Sequence, residues 1–139
     1  MSELRAHHFG VTVTDLDRAV DFYEEMLGCD VLDRFTVSGE AFSTGVGVEG
    51  ATGSFAHLDA GDARIELVEY DPAGDERSAG RVNRPGEKHL GLAVDDVDAF
   101  SEGLPASVET LSAPQTTESG TRIFFVRDPE GNLVEIIES

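Results

Sequence analysis

With 139 residues, 40% of them hydrophobic, the chain is sized for one compact domain or two small modules, and it is too apolar for disorder. Against ten Lys and Arg stand 28 Asp and Glu, a formal net charge of −18 that makes nucleic acid and anionic membranes poor partners. No run of 18 apolar residues offers a membrane span, no apolar stretch near the N-terminus reads as a secretion signal, and the single cysteine, Cys29, excludes an intrachain disulfide; a reducing cytoplasm is the expected location.

In chain order, residues 6–13 alternate and read as a strand. Asp15 is placed to cap a helix whose apolar positions Leu16, Ala19, Val20, Phe22, Tyr23, Met26 and Leu27 recur at helical spacing, and Gly28 ends it. Strands follow over 30–37, 53–58 and 64–70, with glycine-rich 39–53 expected as a functional loop. Residues 71–86, rich in Gly, Pro, Arg and Asp, read as a linker suited to lie over a site. Residues 88–94 form the next strand, Asp95 or Asp96 caps a shorter helix to about Gly103, and Pro105 lies beyond it. Strands are predicted over 107–111, 121–126 and 132–137, the last two joined by turn chemistry at Asp128 to Gly131.

Two matches inside the chain give this list its organisation. His8 to Asp17 aligns without gaps on His89 to Asp98, a shift of 81, with His, Gly, Val and two Asp identical. Phe55 to Glu69 aligns on Phe124 to Glu138, a shift of 69, pairing Glu66 with Glu135 and Glu69 with Glu138. One match opens and the other closes each half, so the chain reads as two copies of one β-α-β-β-β module, the first over 5–70 and the second over 87–138. The fold class expected is α+β.

Strand alternation then sorts the side chains by face. Phe9, Val11 and Val13 form an apolar face on the first strand, leaving His8, Gly10 and Thr12 opposite. In its repeat Leu90, Leu92 and Val94 leave His89, Gly91 and Ala93. Ile65 and Leu67, like Val134 and Ile136, turn inward and leave Glu66 and Glu135 on the other side. A lone strand histidine or glutamate is most simply a surface residue. Here the repeat puts His8 with His89 and Glu66 with Glu135 in equivalent places, beside small residues that leave room for a metal and a substrate. Two imidazoles and two carboxylates suit a divalent ion (Zn, Ni, Co, Mn, Mg or Fe). His7 falls on the apolar phase, has Lys88 as its counterpart, and is not expected to be a ligand.

The acids are scattered rather than gathered in a tail, and Lys88 is the one lysine. Such a surface suits molar salt, where the Debye length is roughly 3 Å, so a halophilic host is expected. Cys29 follows an apolar helix end, has no neighbouring base, and reads as a packed thiol.

The run from His8 to Gly28, with its Gly10, Val11, Val13, Asp15, Leu16 and Asp17, resembles the opening signature of the vicinal oxygen chelate superfamily. Ile65 to Tyr70, Lys88 to Asp96 and Asp128 to Glu135 are similar to its other landmarks. The resemblance implies paired β-α-β-β-β modules in a cupped, barrel-like mixed sheet with helices outside, around a divalent metal held by His8, Glu66, His89 and Glu135, in a homodimer. It implies a small-molecule substrate and chemistry of the glyoxalase I or methylmalonyl-CoA epimerase kind. In that chemistry a metal-dependent lyase or isomerase proceeds through an enediolate or enolate, and Glu135, or Glu66 leaving the metal, moves the proton. Relatives with iron dioxygenase chemistry use two His and one Glu, and metal-free antibiotic-binding relatives use none; both are the alternatives here. Thr12 stands where bacterial glyoxalase I carries an arginine that helps hold glutathione, and residues 52–58 lack the second glutamate of the epimerases. Phe55 and Phe124 are expected to line the cup. His57 reads equally as a substrate contact or proton shuttle and as a half-exposed strand histidine.

Overall fold

The computed structural model describes residues 3–139, which divide into two compact units at Glu76/Arg77, inside the predicted linker. The first unit runs β1 (His8–Thr12), α1 (Leu16–Asp21), β2 (Val31–Ser38), α2 (Glu40–Val46), β3 (Thr52–Asp59) and β4 (Arg64–Asp71). The second runs β5 (His89–Val94), α3 (Val97–Gly103), β6 (Gln115–Thr116), β7 (Arg122–Arg127) and β8 (Leu133–Glu138). Each unit holds a four-stranded mixed sheet, ordered β1-β4-β3-β2 and β5-β8-β7-β6, with the opening strand parallel to the closing one and the other neighbours antiparallel. The α+β class and the repeat are both present in this topology. Among the described residues no helix is long and apolar enough to cross a membrane.

The helices start where short carboxylates can cap them. Asp15 accepts from the backbone N–H of Arg18 at 3.1 Å, and Asp96 from that of Ala99 at 3.0 Å. A second carboxylate reaches each helix from the closing strand of its own unit. Glu69 accepts from Leu16 N–H at 2.8 Å and Glu138 from Val97 N–H at 3.1 Å, which explains why the repeat pairs these two glutamates. Beyond Asp21 the first helix widens into a π turn over Phe22–Met26, and Gly28, at φ +80°, lets the chain leave it. Leu16, Ala19, Val20, Phe22 and Tyr23 bury against the sheet face that carries Val11, Ala56, Leu58, Ile65 and Leu67. In the second unit Val97 packs over the face carrying Phe124, Val126, Val134 and Ile136. Each fully buried Leu or Ile contributes about 1.5–3 kcal/mol.

The elements depart from expectation in two places. Residues 39–53 contain α2, which no inward apolar stripe announces because none of its residues is buried. The strand predicted over 107–111 is reduced to a bridge from Thr110 to Val126. Pairing to β7 resumes only at Gln115–Thr116, after Pro114, which has no N–H to give a ladder.

Candidate metal centre

Both units place a histidine and a glutamate on the face away from their helix. In the first, Gly10 lies directly across from Glu66; in the second, Gly91 lies directly across from Glu135. Each histidine stands two residues before its glycine, so imidazole and carboxylate are diagonal neighbours with no side chain between them. His8 Nε2 is 3.5 Å from Glu66 Oε1, and His89 Nε2 is 3.1 Å from Glu135 Oε1. A Cβ on Gly10 would meet only His8 Cδ2, at 4.0 Å, and one on Gly91 would meet nothing within 4 Å. The glycines keep this space open.

The spacing of these donors fits a metal ion. Two donors at about 2.0–2.2 Å from one divalent ion, at right or tetrahedral angles, stand about 3.0–3.5 Å apart. Both pairs match that separation. Their imidazole and carboxylate chemistry suits a borderline or hard ion, and their histidines are 37% exposed, open to an incoming ion. Among the described residues no three His, Cys, Asp or Glu side chains already stand together as a metal site.

The surroundings of the two pairs differ. In the first unit β3 sets His57 directly across from Glu66, and its Nε2 lies 2.8 Å from Glu66 Oε2. The His57 Nδ1 lies 3.3 Å from Arg64 Nη1, and the Phe35 ring meets the imidazole edge-on at 5.1 Å. His57 is buried, against the half-exposed alternative. Next to it Phe55 stacks on Phe35 at 5.1 Å, and Thr12 is exposed on the same face, across from Val68. His7 brings its Nδ1 to 2.8 Å from His8 Nδ1, so it touches the candidate ligand without being one of the predicted set.

In the second unit the residue across from Glu135 is Phe125, whose ring packs on His89 at 5.2 Å. Phe124, expected to line the cup, instead lies across from Ile136 on the helix-packed face, 2% exposed, near Phe100. The reason is turn length. Asp59 and Arg64 close the first hairpin across four residues, whereas Arg127 and Leu133 close the second across five. A gapless alignment misses that extra residue, and a one-residue slip moves a side chain to the opposite face. Unequal turn lengths were the signal that could have found Phe125.

Two other features lie apart from the donor pairs. A cavity of about 550 Å³ sits at the far end of the first sheet, between Ser38, Glu40, Ser43, Val48, Glu49 and Thr52, and holds none of the candidate ligands. Cys29 is buried, and its thiol is pushed up to about 11 by burial and then by Asp30 and Asp59, which makes it a packing residue and a poor nucleophile.

The family model of the Glyoxalase/Bleomycin resistance protein/Dioxygenase superfamily matches residues 5–136. The chain belongs to this superfamily. It is 33% identical to a 2-epi-5-epi-valiolone epimerase of Actinomyces sp., over 94% of this chain and 77% of that one. It is 32% identical to a lactoylglutathione lyase of Haemophilus influenzae, over 95% of this chain and 90% of the relative. Among solved structures, a glyoxalase family protein from Bacillus cereus superposes with a TM-score of 0.86 at 26% identity, covering 99% of this chain and 95% of the other. Relatives of this superfamily thus include proteins named as epimerases and as lyases.

Proposed function

We propose that the chain is a divalent-metal-dependent isomerase or lyase of the glyoxalase/epimerase type. His8, Glu66, His89 and Glu135 form the donor set, and the substrate is a small oxygenated metabolite with an acidic C–H beside a carbonyl. The observation that carries the reading is the twice-repeated His–Glu pair, in one register, each with a glycine across from its glutamate. The epimerase and lyase names among the relatives support this class over the dioxygenase one.

The ion, when bound, supplies Lewis acidity to an oxygen next to the reacting carbon, making the adjacent C–H more acidic. The chain's own residues do the rest. Glu66 is tied by a hydrogen bond to buried His57, whereas the carboxylate of Glu135 faces Phe125 and meets His89 as its hydrogen-bond partner among the described residues. Glu135 is therefore the freer carboxylate and the base that takes a proton from one position and returns it at another. Phe35 and Phe55 supply an apolar wall beside the first pair, and the Thr12 hydroxyl offers a substrate oxygen a partner there. The superfamily resemblance supports a homodimer, and the acidic surface supports a salt-rich cytoplasm that screens its charge.

The test screens 2-oxoaldehyde thiol adducts, acyl-CoA thioesters, hydroxyketones and catechols, in air and without it, and carries any turnover into variants. Glu135→Gln is expected to lower turnover by about two to four orders of magnitude with a modest loss of metal, and Glu66→Gln to be milder. Oxygen-dependent consumption of a catechol that survives Glu66→Ala would overturn the reading in favour of a dioxygenase.

A further inference from the structure

We propose that His57 is a positioning residue for Glu66: its Nε2–H holds one carboxylate oxygen so that the other is presented, on the His8 side, to the metal. This role rests on the donor set proposed above. It follows from which ring nitrogen carries the proton. A guanidinium has only donors and stays charged, so Arg64 Nη1, 3.3 Å from His57 Nδ1, makes that nitrogen the acceptor. With Nδ1 accepting, Nε2 is the donor and gives its N–H to Glu66 Oε2 at 2.8 Å. Having no free lone pair on Nε2, His57 is not a third imidazole ligand, although its ring centroid is 6.0 Å from that of His8.

The ring is also held in place. Its side chain is 9% exposed, β3 sets it directly across from Glu66, and Phe35 closes one edge at 5.1 Å. A hydrogen bond from a buried, immobile donor fixes the rotamer of the carboxylate it holds, as partners behind metal ligands commonly do. Glu66 Oε2 is thereby occupied while Oε1 points towards His8 Nε2, 3.5 Å away. The second unit has Phe125 in the corresponding place, so Glu135 has no such restraint. The asymmetry leaves Glu66 held by His57 as well as facing His8, and Glu135 held by His89 without a buried donor behind it. That suits Glu66 to a fixed ligand and Glu135 to the donor that also moves the proton.

The experiment measures Zn(II) and Co(II) affinity by chelator competition on the full chain, with the Co(II) absorption spectrum and the melting temperature of the metal-free protein recorded alongside. His57→Phe keeps an aromatic ring without a donor and is expected to weaken metal binding by about 10–100-fold. His57→Gln restores an N–H and is expected to recover affinity to within about three-fold of wild type, with an unchanged Co(II) spectrum. Long-range ¹⁵N–¹H correlations on the metal-free wild type are expected to show the Nε2–H form of His57. Wild-type affinity in His57→Phe, equal losses in both variants, or an Nδ1–H ring would overturn the role of His57 and leave the donor set standing. A wild-type chain that binds neither ion would overturn both.

Discussion

Truncating Phe124 and Phe125 one at a time separates the two faces of the second sheet. Phe124 is 2% exposed, lies across from Ile136 and packs near Phe100 of α3. Removing its ring deletes both the transfer term and the packing around it, so Phe124→Ala is expected to cost about 3–5 kcal/mol. That is a large part of the roughly 5–15 kcal/mol a domain has in total, so the measurement belongs in molar KCl, where the acidic surface is screened. Phe125 is only partly buried on the opposite face, and Phe125→Ala is expected to cost about 1 kcal/mol. It frees the imidazole of His89, 5.2 Å away, and should weaken metal binding more than it weakens the fold. Urea unfolding followed by circular dichroism, with slopes compared between variants, gives both values. A Phe125→Ala cost equal to that of Phe124→Ala would mean that the register of β7 on β8 is wrong.

The remaining expectations concern the open space, the surface and the thiol. Gly91→Val adds a β-branched side chain where nothing stands within 4 Å, so stability should change by less than about 0.5 kcal/mol while the methyl groups crowd the space between His89 and Glu135 and metal affinity falls. Loss of stability with metal affinity intact would contradict the role given to the glycine. With a net charge of −18, the melting temperature should climb as the Debye length shrinks from about 10 Å at 0.1 M to about 3 Å at 1 M KCl, and equal values at both salts would sink the halophile reading. Cys29, raised from 9.0 to about 11, should resist alkylation at pH 9 until the chain unfolds. Because folding favours the protonated thiol, its contribution is fully present below pH 9 and is lost as pH rises through about 11. Rapid alkylation of the native protein at pH 9 would refute this.

Much of the fold was legible because the sequence states it twice. His8 with Gly10, and His89 with Gly91, announce the opening strands, and Glu66 and Glu135 share the face that strand alternation assigned them. The helix caps were readable too, since Asp15 and Asp96 stand where an acceptor is needed. What escaped was structure without a repeat or a period. Helix α2 buries none of its residues, and its flanking Gly39 and Gly47 read as loop. Phe124 was assigned to the wrong face because one extra residue in a turn is invisible to a gapless alignment. The partnership of His57 with Glu66 depends on the register of β3 against β4, which a hairpin turn sets and residue spacing alone does not.

The most direct test of the donor set is a calorimetric Zn(II) titration of the metal-free protein beside the alanine variants of His8, Glu66, His89 and Glu135. One ion per chain for the wild type, with affinity reduced by each of the four substitutions, is the predicted result. No binding by the wild type, or binding that Ala at both His89 and Glu135 leaves unchanged, would contradict the proposed donor set.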